Sequence, residues 1–154
     1  MILVPEITIV ETCPWHLREM AETMTADSVE VAHRLGFTPL KALWQSYRGS
    51  IICKSAFING KIAAIFGLSG VMFGDTGRPW LILTPETREH PFRVAFIYRK
   101  ELNKMQEMFP ILEDWVPADN EASIRMMELM GFKVSRNEIK VADGVFRKAE
   151  RRRK

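Results

Sequence analysis

The chain contains 154 residues, of which 47% are hydrophobic and 27% charged, and its formal net charge is +3 at pH 7. These values fit a single globular domain with a sizeable core, spanning residues 1–154, and exclude a long disordered or fibrous protein. No apolar run in the sequence reaches the roughly 20 residues that cross a bilayer. The first residues have neither the basic segment nor the small-residue cleavage site of a secretory signal. We therefore expect a cytoplasmic protein.

Basic residues are concentrated near the end of the chain, between Arg147 and Lys154. A basic run can bind phosphates or an acidic partner by releasing counterions, but more often it is a solvated end. Neither an aromatic-interleaved basic strand nor a zinc-ligand set accompanies it, so nucleic-acid binding is not expected. We expect a basic tail from about residue 150.

Two cysteines are present, Cys13 and Cys53, and their spacing fits neither a metal site nor a disulfide framework. A reducing compartment would keep both as thiols. We expect both side chains to be small and buried.

The first 50 residues predict one strand and three short helices. Residues 6–12 alternate like a strand, and Pro14 favours the start of a helix. Thr25, Asp27 and Thr38 are of the types that cap helix N-termini. The expected helices cover residues 14–24, 28–35 and 40–47.

The middle of the chain predicts an antiparallel meander over residues 51–84. Two β-rich runs, residues 51–58 and 61–68, flank Asn59-Gly60, which suits the two positive φ angles of a type I′ turn. After several glycines, residues 80–84 form a continuous apolar run that is typical of a strand buried on both faces.

The remainder alternates between helices and strands. We expect a helix over residues 92–109, a strand over 111–116, a helix over 120–130, a strand over 133–141, a turn at Asp143-Gly144, and a strand over 145–149.

The helix over residues 120–130 carries the clearest end signals. Asn120 can supply the N-cap oxygen, and Gly131 can adopt the left-handed conformation that ends a helix. One helical face, expected to be buried, comprises Ala122, Ser123, Met126, Leu129 and Met130.

This element order and the closing segment, residues 120–132, resemble the acetyl-CoA-dependent N-acetyltransferase (GNAT) superfamily, whose penultimate helix typically reads Asn, Ala, a Tyr, then Gly-Phe. The resemblance implies an α+β fold with a mixed sheet of about six to seven strands flanked by helices. The sheet would splay after its fourth strand, and acetyl-CoA would lie in the splay. The resemblance further implies cofactor contacts from Leu83, Thr84, Asn120 and Ser123.

Two usual features of that superfamily are missing. Met127 occupies the position of the tyrosine that protonates the leaving thiolate, and a thioether cannot donate a proton. The pyrophosphate-binding turn should be rich in glycine, yet residues 84–93 contain no glycine, two prolines and two glutamates. Arg88, His90 and Arg93 can still supply positive charge. We expect acetyl-CoA to bind weakly or not at all, and the alternative is an ordinary loop leading to a helix.

An acyltransferase of this kind needs a general base. Asp114 lies on the strand beside the expected splay and Glu86 lies near the cleft, and these are the catalytic candidates. The other titratable candidates near the cleft are His90, Glu113 and Asp119, of which Asp119 is better explained by a turn. The early histidines, His16 and His33, are expected at the surface.

A narrower resemblance is to the internal virion protein A family of short-tailed bacteriophages. The matching segments are residues 80–84, 93–104, 115–116 and 120–131. The resemblance implies a phage-encoded protein that acts on, or binds to, a host or phage protein. Two functions therefore stay open, an N-acyltransferase and a catalytically silent scaffold.

Overall fold

The computed structural model describes residues 6–70, 74–142 and 144–154. Along these residues the elements are β1 (Ile7–Glu11), α1 (Pro14–Thr23), α2 (Ala26–Arg34), α3 (Pro39–Arg48), β2 (Ile52–Ile58), β3 (Lys61–Gly70), β4 (Thr76–Leu83), a 3₁₀ helix (Pro85–Glu89), α4 (Pro91–Met108), β5 (Ile111–Pro117), α5 (Glu121–Leu129), β6 (Lys133–Val141) and β7 (Gly144–Arg152). The strands form one mixed sheet in the order β1-β2-β3-β4-β5-β7-β6. The α+β fold with a seven-stranded sheet is therefore confirmed.

The predicted meander is confirmed, with β2, β3 and β4 pairing antiparallel. Asn59 and Gly60 have φ angles of 50° and 81°, as a type I′ turn requires. The strand predicted from residue 80 begins earlier, at Thr76, and includes Pro79. Proline is tolerated because its nitrogen faces the side of β4 away from β3, where no ladder bond is lost.

Helices cover both faces of the sheet. On one face α1 and α3 pack against β2 and β3 through a cluster that includes Leu17, Met20, Leu43 and Ile65. On the other face α4 lies over both halves of the sheet, because its cluster joins Phe66 and Leu68 of β3 to Leu112 of β5 and Ala149 of β7. No helix in the described parts of the chain is long and apolar enough to cross a membrane.

The sheet separates between β4 and β5. These parallel strands pair only at their starts, Thr76 with Ile111 and Gly77 with Leu112. Beyond that point β4 remains paired with β3 to Leu83, and β5 remains paired with β7 to Pro117. The Phe109 ring fills the closed end of the gap, where a Cβ on Gly77 would lie 2.7 Å from the ring. The result is a V-shaped splay that opens toward the carboxyl ends of both strands.

The expected basic tail is instead attached to the domain. Strand β7 runs to Arg152, and the Arg151 guanidinium donates to Met130 O at 3.0 Å and to Asn103 Oδ1 at 2.7 Å. Arg153 donates to the carbonyls of Gln106 and Glu107 at 2.9 and 3.0 Å. These arginines satisfy carbonyl groups at the ends of two helices, a contact that the local sequence does not reveal.

Some other expectations need correction. The inner side of α5 is formed by half-buried residues such as Met127, whereas Met126 and Leu129 of the expected face are 38% and 51% exposed. His16 is buried rather than at the surface, while His33 is exposed as predicted. Cys53 is buried, but Cys13 is only partly so. Of the predicted Asp143-Gly144 turn, Asp143 lies outside the described residues.

Candidate active site

The splay borders an unpaired edge of β4. Thr84 N donates to Ala63 O of β3 at 2.9 Å, so the backbone groups of the preceding residue, Leu83, face the splay. By the same alternation the N–H and C=O of Leu81 also face it. These backbone groups can pair with an extended ligand laid along the strand.

Helix α2 spans the open end of the splay. At its start, Thr25 N donates to Leu83 O at 2.8 Å, which occupies one splay-facing carbonyl of β4. At its end, both terminal nitrogens of Arg34 donate to the Asp119 carboxylate at 2.8 Å, just beyond β5. The nine residues of α2 correspond to a span of about 13 Å. One short helix therefore connects the ends of the two diverging strands.

Two open grooves lie beside this connection, with volumes of about 570 and 440 Å³. Both are lined by Glu30, Arg34 and Asp119. The smaller groove also reaches Asn120 at the start of α5, whereas the larger one extends to Glu138 on β6. The predicted residues of the 3₁₀ helix and α4 line neither groove.

Asp114 lies on β5 within the splay, on the face covered by α4. Burial raises its pKa to about 7, and the hydrogen bond from Trp115 N, at 2.7 Å, acts in the opposite direction. Burial also raises the pKa of Tyr98 on α4, and the Asp114 charge adds to that rise. A carboxyl group that changes protonation near neutral pH is suited to accepting a proton from an amine.

The other carboxylates near the splay either pair with a cation or lie away from Asp114. Arg34 holds the pKa of Asp119 below its usual range, which makes Asp119 a poor base. Glu113 points to the opposite face of the sheet and contacts Lys148 at 3.2 Å. Glu86 is half-buried in the 3₁₀ helix, beyond the end of β4 and on the other side of the opening from Asp114. The structure therefore does not bring the two predicted catalytic carboxylates together.

The stretch expected to bind pyrophosphate forms a 3₁₀ helix, not a glycine-rich turn. Thr87 N and His90 N are used internally, donating to Thr84 O and Thr87 O at 3.2 and 3.0 Å. Pro91 begins α4, as predicted, and Val94 N donates to His90 O. The amides of residues 92 and 93 thus precede the first helical hydrogen bond and can face an anion.

The cations predicted for this region lie close to that helix start. Arg88 and Arg93 are exposed, and His90 is half-buried at the N-cap. Thr84 is only 4% exposed, and its Oγ1 has no hydrogen-bond partner among the described residues. The Thr84 hydroxyl is thus buried at the end of β4 and is not exposed to a ligand in the splay.

Asn120 and Ser123 begin α5 at the opposite rim. Asn120 Oδ1 accepts a hydrogen bond from Ser123 N at 3.0 Å, which confirms the predicted N-cap. Helix capping alone is therefore enough to explain an asparagine at position 120. Its side-chain amide nitrogen retains donor capacity toward the groove.

Known proteins resemble this chain in structure only. No family model and no curated protein match the sequence. A candidate acetyltransferase from Acinetobacter baylyi ADP1 superimposes with a TM-score of 0.74 at 13% identity, over 98% of this chain and 95% of the other. A GNAT-family acetyltransferase from Streptococcus pneumoniae gives 0.61 at 15%, over 96% and 99%. Aminoglycoside acetyltransferase AAC(6')-Ib, solved with ribostamycin and coenzyme A, gives 0.69 at 15%, over 96% and 94%.

The fold is that of the GNAT acetyltransferases. The confirmed features are the splayed sheet, its flanking helices and the order of its elements. At these identities the likeness establishes the fold and leaves the chemistry to be argued from the site. The narrower resemblance to the phage family gains no support from these matches.

Sequence reasoning missed two features of this GNAT-fold site. Tyr98 was not among the candidate residues, yet the Asp114 charge adds to the rise in the pKa of its phenol. The connection from Arg34 to Asp119 joins residues 85 positions apart, and neither residue carries a local signal for it. Met127, at the position of the usual tyrosine, packs against the α4 core cluster.

Proposed function

We propose that the protein transfers an acyl group from acetyl-CoA to an amine, with Asp114 as the general base. The observation that carries the proposal is the position of Asp114 on β5 inside the splay, with its pKa raised to about 7 by burial. A base with this pKa is largely ionised just above neutral pH and can still hold a proton taken from an amine.

The residues fit an acyl-CoA ligand in part. The splay-facing backbone groups of Leu81 suit an amide-containing arm laid along β4. The start of α4 suits a pyrophosphate less well, because Pro91 lacks an N–H and the 3₁₀ helix uses its own amides. Arg88, His90 and Arg93 supply charge instead.

Acetyl-CoA would supply an acyl group activated as a thioester. In this arrangement Asp114 would take the proton that the amine loses as its nitrogen bonds to the acyl carbon, and the C–S bond of the thioester would break as the thiolate of coenzyme A leaves. Burial and the Asp114 charge raise the pKa of Tyr98, which makes its phenol a weak acid, so the thiolate would take its proton from water. Helix α2 and the grooves beside it would receive the acceptor, which we take to be an amine on a host or phage macromolecule in the cytoplasm, because the grooves are open.

Calorimetric titration with acetyl-CoA tests the first requirement. We expect a Kd of roughly 100 μM or above, since each missing backbone donor is worth about 0.5 to 1.5 kcal/mol. A Kd near ~1 μM would contradict the weak-binding argument and would assign the pyrophosphate to Arg93 and its neighbours. Arg93→Ala should then bind far less tightly.

Amine-dependent thiol release from acetyl-CoA tests the chemistry. We expect release with some member of an amine panel or with infected-cell lysate. Asp114→Asn should abolish it without changing acetyl-CoA binding. Glu113→Gln is the matched control, because it removes the adjacent carboxylate, which points to the opposite face of the sheet. No release by the wild type above background, with the fold intact by circular dichroism, would refute the enzymatic proposal.

A second function, a silent scaffold used in virion assembly or host-protein inhibition, is favoured by the 3₁₀ helix in place of an anion-binding turn. In that case the protein would bind its macromolecular partner equally well with and without acetyl-CoA. Affinity capture from infected cells with wild type and Asp114→Asn in parallel would test this role, since a scaffold should recover the same partner with both.

A further inference from the structure

A second group of reactive side chains lies on the α1 face of the sheet, near its β1–β2 edge, and β3 and β4 separate it from the splay. Cys13 precedes α1, and its Sγ lies 3.3 Å from Nε2 and 3.5 Å from Nδ1 of His16. His16 Nδ1 lies 2.9 Å from Ser55 Oγ on β2, and Ser55 Oγ lies 2.8 Å from Thr12 Oγ1. Because the nearest groups come from both β1 and β2, this arrangement depends on the tertiary fold.

The imidazole in this group is held firmly in place. His16 is 8% exposed, and Ser55 is fully buried on a sheet face that is otherwise apolar. The His16 ring meets the Phe57 ring edge-on at 5.2 Å and the Trp15 ring edge-on at 6.2 Å. Burying three polar side chains at this point is costly unless they bond to one another, so the network fixes the ring beside the sulfur.

The sulfur itself is accessible. Cys13 is only partly buried, while the indole of Trp15 beside it is 70% exposed. Cys13 also occupies the N-cap of α1, where the helix dipole favours negative charge. A partly exposed thiol at a helix N-terminus, with an imidazole N–H 3.3 Å from its sulfur, has the features of an activated thiol.

We propose that Cys13 is a nucleophilic thiol, activated by His16, that forms mixed disulfides with small-molecule disulfides. Because His16 Nδ1 accepts a hydrogen bond from Cys13 N at 3.2 Å, Nε2 carries the imidazole proton, and Nε2–H stabilises the Cys13 thiolate from 3.3 Å. The thiol proton leaves to water, and Cys13 Sγ attacks one sulfur of the disulfide. The new S–S bond forms as the old one breaks, and the released thiolate takes a proton from water. Ser55 is a positioning residue that holds the imidazole through Nδ1. This proposal is independent of acyl transfer.

The test measures the second-order rate at which Cys13 reacts with the chromogenic disulfide 5,5′-dithiobis(2-nitrobenzoate) at pH 7. Cys53→Ala provides a background in which Cys13 is the single cysteine. The same protein unfolded in guanidinium gives the intrinsic rate of that thiol. We expect the folded protein to react about tenfold faster than the unfolded one, and mass spectrometry to place the adduct on Cys13.

Two variants separate activation from accessibility. His16→Gln keeps a polar side chain but removes the imidazole N–H beside the sulfur, and it should lower the rate at least about fivefold. Ser55→Ala should lower the rate less, and it serves as the second test if His16→Gln does not fold. Cys53 in a Cys13→Ala protein should stay unmodified, since Cys53 is buried and burial raises its thiol pKa.

Some results would overturn the proposal. One is a Cys13 reaction rate in the folded protein at or below that in the unfolded protein. Another is a reaction rate that is unchanged in both variants. A third is a faster reaction of the folded protein with the dianionic disulfide but not with the neutral reagent iodoacetamide. That pattern would reflect attraction of the dianion to nearby positive charge rather than an activated sulfur.

Discussion

Replacing Asp114 by asparagine should make the protein more stable at neutral and alkaline pH. The substitution keeps an oxygen that can accept the hydrogen bond from Trp115 N and removes the ionisable group. Burial raises the pKa of Asp114 to about 7 in the folded protein. In the unfolded chain an aspartate titrates near ~3.9.

The sign and size of the effect follow from linkage. Between about pH 4 and pH 7 the unfolded chain has lost the Asp114 proton while the folded protein retains it, so the stability contributed by this group falls as pH rises. A difference of about 3 pKa units corresponds to about 4 kcal/mol, which is an upper bound because structural relaxation reduces the penalty. Near pH 4 Asp114→Asn should have the same free energy of unfolding as the wild type. Above pH 7 its free energy of unfolding should be higher by up to this amount.

Urea unfolding at half-unit steps from pH 4 to pH 8.5 measures this difference. Asp119→Asn is the matched control of opposite sign, because Arg34 lowers the pKa of Asp119. The stabilising contribution of Asp119 is present above its unfolded pKa and is lost as pH falls through its folded pKa. A difference between wild type and Asp114→Asn that does not change with pH would refute the argument that Asp114 is a buried base.

Three further predictions concern the splay. If the protein is active, kcat/KM should rise with pH and level off near pH 7, the pKa to which burial raises Asp114, and Asp114→Asn should lose that limb together with about 10²- to 10⁴-fold in rate. Met127→Tyr should raise kcat, measured as acetyl-CoA turnover, if a missing acid limits the reaction; in a silent scaffold it should only cost about 1 to 3 kcal/mol of stability by overpacking. Gly77→Ala should destabilise the fold by about 1 to 3 kcal/mol in urea unfolding, since its Cβ would meet the Phe109 ring, whereas Gly49→Ala, whose Cβ would meet no ring, should cost much less.

Features specified by neighbouring residues were predictable from the sequence. The turn at Asn59-Gly60 is specified by two residues, and the Asn120 cap by a contact three residues away. The resemblance of residues 120–132 to the GNAT superfamily then supplied the sheet order, which no local pattern contains.

Contacts between distant parts of the chain could not be predicted. His16 carries no sign of burial, because its partner Ser55 is 39 positions away. The same holds for Arg34 with Asp119 and for Arg151 with Asn103. The expected face of α5 was only partly right, since Met130 is buried whereas Met126 and Leu129 are exposed. Several faces of this methionine-rich helix have similar hydrophobicity, and packing against the core cluster selects among them. The catalytic role of Asp114 stays a prediction.

The contact between β4 and β5 is narrow, and it is the strand pairing that joins the two halves of the sheet. Residues 7–83 and 111–152 form two ladders, each built from its own stretch of chain, and they share strand pairing at only two positions. Widening the gap therefore breaks no strand pairing within either ladder. Resistance to widening comes from the packing of α4 on both halves and from the α2 link between Leu83 and Asp119. A ligand that widens the opening therefore works against the packing of α4 on both halves and against the α2 link, while the strand pairing within each half stays intact.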